Sequence, residues 1–384
     1  MRRRLAAGVA FGLLLLAGCS KEMAAENTGA TPSPQPSPSA AASPEPDDAA
    51  NPADLGFDPG RLDELAAEAE RAGSTCFLVA RKGQVVGEWY WQGSSATAPR
   101  EVFSVTKSVT STLVGIAEGD GNLSIDDPAS TYIPEWRGTD SEAVTVRNLL
   151  SNDSGREWTR EGDYGQLLQA PDRSAYAVGL GQQHPPGSVW VYNNSAIQTL
   201  DRVIRAATGE ETAAYAQERL FDPLGMAHTR MTADASGRST NSFFGLQSTC
   251  PDLARFGQLF AQQGEWDGTQ VVPAGWVDRA VGAPSQELNS AYGLLWWLNR
   301  EGPVRAPLDE SDPDLPPGVT DVRQLAPGAP ADLFAAQGFG GQVVLVDPTT
   351  ETVVVRLGVP TRDGRASYKF ADAARVVTWA LVSP

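Results

Sequence analysis

The sequence predicts an α/β (α+β) domain: one sheet assembled from the two ends of the folded chain, flanked by helices, with a large helical insert between. Three observations lead there. Residues 76–80, a Lys82-Gly83 turn and residues 85–91 read as a β-hairpin. A long stretch, about 104–281, carries helical patterning broken by loops. Strand patterning then returns at 292–298, 343–346 and 352–357. A helix opens the domain, with Asp58 as cap, Pro59 in the first turn and Leu62, Leu65, Ala66 and Ala69 at helical spacing. Residues 368–381 close it as an amphipathic helix.

Ahead of the domain lie two segments without a core. Arg2-Arg3-Arg4 and the apolar run from Leu5 to Leu16 read as an export leader, too short to span a bilayer comfortably. It ends in Leu16-Ala17-Gly18-Cys19, which resembles the bacterial lipobox. That resemblance implies cleavage after residue 18, lipid on Cys19 and a membrane-anchored, exported protein. The alternative is an ordinary cleaved leader with an incidental cysteine. Residues 19–54 carry repeated Pro-Ser steps and alanine runs, so an extended tether is expected. The domain is then 55–384, with an α/β part at 55–100 and 290–384 and a helical part at 101–289.

Composition narrows the chemistry. The 384-residue chain is 41% hydrophobic and 20% charged, which suits a globular enzyme. Loss of Arg2, Arg3 and Arg4 takes the net charge from −17 to −20. Such an acidic surface repels nucleic acid and anionic lipid. Only His184 and His228 are present, and no close cluster of His, Cys and carboxylates suggests zinc. No metal or cofactor is expected. Cys76 and Cys250 read as small buried hydrophobes, with pairing after export as the alternative, since nothing in the sequence fixes their distance.

Three short motifs carry chemistry. Ser104 precedes a helical run and Lys107 follows one turn later, on the same face. A lysine half-buried there loses preference for its charged form and can accept the serine proton. The plain alternative is a capping serine with a surface lysine. In Tyr192-Asn193-Asn194, Tyr192 can relay a proton to a leaving group, and Asn194 can hydrogen-bond the lysine or a substrate. The alternative is a core tyrosine ahead of a polar turn. Ala336-Gln337-Gly338-Phe339-Gly340-Gly341-Gln342 leads into a strand. Its glycines leave a strand edge open, and the Phe339 amide can join that of Ser104 as an oxyanion hole. A bulge would read the same way.

In order and spacing, with Tyr192 88 residues after Ser104, these motifs resemble the serine β-lactamase and penicillin-binding-protein superfamily over about residues 55–384. Leu123 to Pro128, Leu149 to Gly155, Phe221 to Met226 and Asp252 to Gly257 add to the likeness. They resemble the branch holding class C β-lactamases, D-alanyl-D-alanine peptidases, esterases and 6-aminohexanoate-dimer hydrolases. Asp163-Tyr164 and Trp296-Trp297 look most like the last group, in which a tyrosine of that loop contacts the substrate amide. The resemblance implies a β-lactamase/transpeptidase-like fold with an antiparallel sheet. It also implies Ser104, Lys107 and Tyr192 as catalytic residues, with Asn194, Tyr164, Gly338 and Phe339 at the substrate or oxyanion. One departure stands out. The K-T-G of lactamases and peptidases is matched by Ala336-Gln337-Gly338, so its carboxylate-holding lysine is missing.

The expected function is therefore hydrolysis of a small-molecule amide or ester through a Ser104 acyl-enzyme. A true β-lactamase or D-alanyl-D-alanine carboxypeptidase is one alternative, and a non-catalytic lipid-anchored binding protein another. A Ser-His-Asp hydrolase is disfavoured, since neither histidine lies in a catalytic setting and no G-x-S-x-G elbow is present. Oligomeric state stays open. Residues 299–330, with seven prolines and Asp309, Glu310, Asp312 and Asp314, form a long loop, either a lid or a surface excursion.

Overall fold

The computed structural model describes residues 50–307, 323–360 and 368–383. The leader, Cys19 and the tether as far as residue 49 lie outside the described residues, as do the four acidic residues of the long loop. The described residues begin slightly before the expected boundary. Ala50 donates to the Val85 carbonyl, and Asn51 caps a short 3-10 turn at Pro52–Leu55.

The sheet joins both ends of the domain, as the patterning predicts. Its strands are β1 (Ser74–Arg81), β2 (Gln84–Tyr90), β3 (Trp297–Leu298), β4 (Phe334–Gly338), β5 (Gln342–Asp347) and β6 (Thr352–Gly358). The order is β2-β1-β6-β5-β4-β3, and every pairing is antiparallel. Lys82 and Gly83 turn the hairpin with φ of 51° and 77°. Strand periodicity then sorts the side chains. Phe77, Val79, Leu345 and Val354 face Leu62, Leu65, Ala69, Phe370 and Ala373, from α1 (Pro59–Arg71) and the C-terminal helix at Phe370–Arg375. Leu78, Ala80, Val344 and Val355 join the larger core on the opposite face.

Two helices of that larger core position the site. The first, α2 (Val105–Gly119), runs beneath Ser104, with Val105, Val109 and Leu113 in the core. The second, Cys250–Ala261, belongs by sequence to the helical part but lies on the sheet. A Cβ on its Gly257 would come within 2.5 Å of Val353, so only glycine allows this approach. Its Cys250 forms a disulfide with Cys76 of β1, with Cα atoms 6.4 Å apart. The two cysteines are thus a covalent link rather than two isolated hydrophobes, a long-range fact that no local pattern encodes.

The strand expectations near the site need two corrections. Of 292–298 only Trp297–Leu298 is a strand. Gly293 and Leu295, whose φ is 61°, fold the preceding residues into a tight turn that brings Tyr292 against Trp297. The segment before Val343 is a strand in its own right. Phe334–Gly338 pairs with β5, and Phe339-Gly340-Gly341 forms the turn between them. Small alanines and glutamine in β4 hid its strand character.

Candidate active site

The chain turns sharply into α2. Phe103 takes a left-handed φ of 50°, uncommon for an aromatic residue, and is held by its neighbours. Its amide donates to Glu101 Oε1 at 2.8 Å, and its carbonyl accepts from the Thr106 hydroxyl at 2.6 Å. Glu101 also accepts from the Gly245 amide and the Gln247 side chain, tying this turn to residues 245–247. Ser104 is the N-cap residue of α2, yet its side chain makes no capping bond. Its hydroxyl points instead to Lys107 Nζ, which donates to it at 2.8 Å.

Lys107 is buried, at 1% exposure, so the surface-lysine alternative fails. Nζ also donates to the Phe243 carbonyl at 2.9 Å and lies over the rings of Tyr192 and Phe243. Burial lowers its pKa to about 7, against a smaller upward pull from Asp163. Tyr192 is buried too, and its hydroxyl bonds the Ser104 side chain. Burial pushes its pKa well up, so it stays protonated at neutral pH. Serine, amine and phenol thus form one connected set through which a proton can pass in either direction.

These groups open into a cavity of about 450 Å³, within the usual range for small-molecule sites. Ser104, Tyr164, Tyr192, Trp297, Gln337, Gly338 and Phe339 line it, with residues 304–307 and Leu325. A Cβ on Gly338 would fall 2.3 Å from the Val102 carbonyl oxygen. That contact packs the end of β4 directly against the approach to Ser104. Phe339 is 51% exposed and meets Phe103 edge-on at 5.5 Å.

A slightly larger cavity, about 480 Å³, lies beside Trp136 and Arg156 and contains no comparable set. The Arg156 guanidinium is committed to the Ser141 hydroxyl and the Ala177 and Val178 carbonyls, and it stacks on Trp136. That arrangement is structural.

A family model described as Beta-lactamase matches residues 62–375. The chain belongs to the beta-lactamase family. The 6-aminohexanoate-dimer hydrolase of Paenarthrobacter ureafaciens is 25% identical over 314 residues, covering 77% of this chain and 75% of that protein. A beta-lactamase of Escherichia coli (strain K12) is 22% identical over 326 residues, covering 74% and 79%. The structure of a candidate 6-aminohexanoate-dimer hydrolase from Bacillus anthracis shares the fold at a TM-score of 0.61, with 23% identity over 79% of this chain and 78% of that one. The chain is therefore a member of the serine hydrolase superfamily of β-lactamase fold.

Within this beta-lactamase-family frame, most residues expected from sequence meet at one cavity. Asn194 stands behind its wall. Its side-chain amide donates to Asp163 at 2.9 Å and it bonds the Tyr164 hydroxyl, rather than pointing at Lys107. The two tryptophans split. Trp297 lines the cavity and stacks on Tyr192, while Trp296 is buried among Phe256, Phe260 and Phe334. Sequence reading missed three groups. Phe243 supplies a carbonyl to Lys107, which only tertiary folding reveals. Asp163 accepts four hydrogen bonds from Asn194 and Ser195, and its place beside Tyr164 in the sequence is its only local signal. Arg305 lines the cavity from the long connection, so positive charge is present there, on a different element from Ala336.

Proposed function

We propose that the chain hydrolyses an amide or ester through an acyl-enzyme on Ser104. The observation that carries this reading is Lys107 Nζ, buried and 2.8 Å from the Ser104 hydroxyl, with a pKa near 7. Neutral Lys107 takes the Ser104 proton as Oγ attacks the carbonyl carbon. The amides of Ser104 and Phe339 receive the developing oxyanion. Tyr192 passes a proton to the departing nitrogen or oxygen and regains it from the ammonium of Lys107. Water, deprotonated by the same set, then releases the acid and restores Ser104. No cofactor enters any step. The likeness to a 6-aminohexanoate-dimer hydrolase and the tyrosine- and tryptophan-rich lining favour linear amides or esters over bicyclic lactams.

A fluorophosphonate probe tests the nucleophile. Its adduct should map to Ser104, and an adduct on another residue would sink the assignment. A β-lactamase or carboxypeptidase reading is weakened by the neutral Ala336-Gln337-Gly338 edge, and a pure binding role by the lowered proton affinity of Lys107, which a binder does not require.

We also propose that the protein is exported and held to a membrane by lipid on Cys19. The Cys76–Cys250 disulfide supports export, since such bonds persist in oxidising compartments. Metabolic labelling with a fatty-acid analogue should mark the wild type and spare C19A; equal labelling would refute the anchor.

A further inference from the structure

We infer that Asp163 is an ionised positioning residue of this site, fastening the chain just after Tyr192 and setting the pH at which Lys107 becomes able to accept the Ser104 proton. The inference deepens the proposed mechanism and rests on Lys107 being the base.

Asp163 is 2% exposed, inside the short π turn Gly162–Gln166. Four hydrogen bonds reach its carboxylate. Oδ2 accepts from the Asn194 amide at 3.0 Å and from the Asn194 side chain at 2.9 Å. Oδ1 accepts from the Ser195 amide at 2.7 Å and the Ser195 hydroxyl at 2.9 Å. Both residues lie just beyond Tyr192 and the capping Asn193, and they open the short helix at Asn194–Gln198. The backbone amides can only donate, as does the Asn194 side-chain amide nitrogen. All four contacts therefore suit a carboxylate, while a carboxylic acid could place its proton only against the Ser195 hydroxyl. Burial raises the proton affinity of this carboxyl above the usual carboxylate range, opposed by the Ser195 and Asn194 amides, the Ser195 hydroxyl and Lys107; the donor geometry is what favours the charge.

That buried charge has two consequences. First, it sets the position of Tyr192. The tyrosine ring lies under Lys107 and its hydroxyl reaches Ser104, and the two residues it precedes most closely in the helix start are both pinned to Asp163. Second, it acts on Lys107 through space, raising its proton affinity against the effect of burial. The groups facing Lys107 are the Ser104 hydroxyl on its own helix, the Tyr192 ring, the Phe243 carbonyl and ring, and the Asp163 charge. Tyr164 and Tyr192 are both neutral at working pH. Asp163 is thus the anion that balances Lys107.

The test reads the pH dependence of Ser104 modification by a fluorophosphonate, which needs no knowledge of the natural substrate. In wild type the rate should rise through about pH 7. In D163N the midpoint should move down by roughly one pH unit, because burial of Lys107 is no longer opposed. The plateau should fall by about 10-fold as Tyr192 loosens. D163E keeps the charge, and its midpoint should stay at the wild-type value whatever its plateau. A D163N midpoint equal to wild type overturns the inference, because a purely structural aspartate would lower the plateau alone. If D163N does not fold, the shorter uncharged D163S decides: a lowered midpoint supports the inference and a wild-type midpoint overturns it. Absence of Ser104 labelling in the wild type would instead remove the underlying mechanism, so the two failures are distinguishable.

Discussion

Two walls of the cavity are built differently. The Ser104 wall is buried and polar, and each of its titrating groups has a fixed partner: Lys107 with Ser104 and Phe243, Tyr192 with Ser104. The strand-edge wall, Gln337 to Phe339, is part-exposed and carries no formal charge. The difference follows from what each must do. A base that works near neutrality needs burial to lower its proton affinity and fixed partners to keep it aimed. A recognition surface needs only shape and a few matched groups, and it can change without disturbing the proton path. A likeness to the beta-lactamase family therefore carries further for chemistry than for substrate.

The Ser104 wall should be the more fragile. S104A is expected to lower turnover by roughly 10³-fold or more with the fold unchanged by circular dichroism. Near-wild-type turnover would place the chemistry elsewhere. K107R should be almost as damaging, because guanidinium remains protonated and cannot accept the serine proton. The sign of the wild-type pH profile follows from the same group. Lys107 is protonated and unable to act below its pKa of about 7, so kcat/KM should climb through that value and level off above it. An active K107R enzyme, or a profile that falls across this range, would show that another base operates.

The strand-edge wall should fail by displacement. G338A puts a methyl 2.3 Å from the Val102 carbonyl, so either β4 or the approach to Ser104 must shift. A misplacement on the ångström scale costs about 10²-fold in rate, so kcat should drop by about that factor while Lys107 keeps its pH midpoint. A moved midpoint would mean that the two walls are not independent.

Legibility in the sequence follows the same division. The sheet from both ends was visible because β-branched runs and a Lys82-Gly83 turn are local signals, and so was the serine–lysine pair, because one helical turn fixes their relation. What stayed hidden depends on tertiary contacts. Trp296 and Trp297 are adjacent and alike, and only the packed strand decides which enters the core. Asn194 could be paired with Lys107 or substrate until Asp163 claimed its amide. The disulfide joins residues 174 apart. Arg305 lies in a proline-rich connection with no local pattern to place it.

Substrate charge gives the smallest and most discriminating expectation. A carboxylate beside the scissile bond needs a cation or strong donors to replace its hydration. At the K-T-G position this chain offers Ala336, which is buried, and Gln337, a neutral amide that does line the cavity. One charge-assisted hydrogen bond contributes about 1.5–3 kcal/mol, so its loss weakens transition-state binding by about 10- to 100-fold. Trp297, Phe339 and Tyr164 meanwhile offer apolar and aromatic surface to a neutral chain. The kcat/KM for a chromogenic cephalosporin should therefore fall below that for a short p-nitrophenyl ester on the same sample. Arg305 is the cavity's one formally charged side chain among the described residues, held by its Nε donating to the Leu288 carbonyl at 3.1 Å. R305Q should therefore reduce the remaining cephalosporin rate and leave the ester rate within about twofold, since only the first substrate carries a carboxylate. A cephalosporin rate well above the ester rate would reverse the assignment of the strand-edge wall and promote a lactamase function, with the Ser104 wall left as it stands.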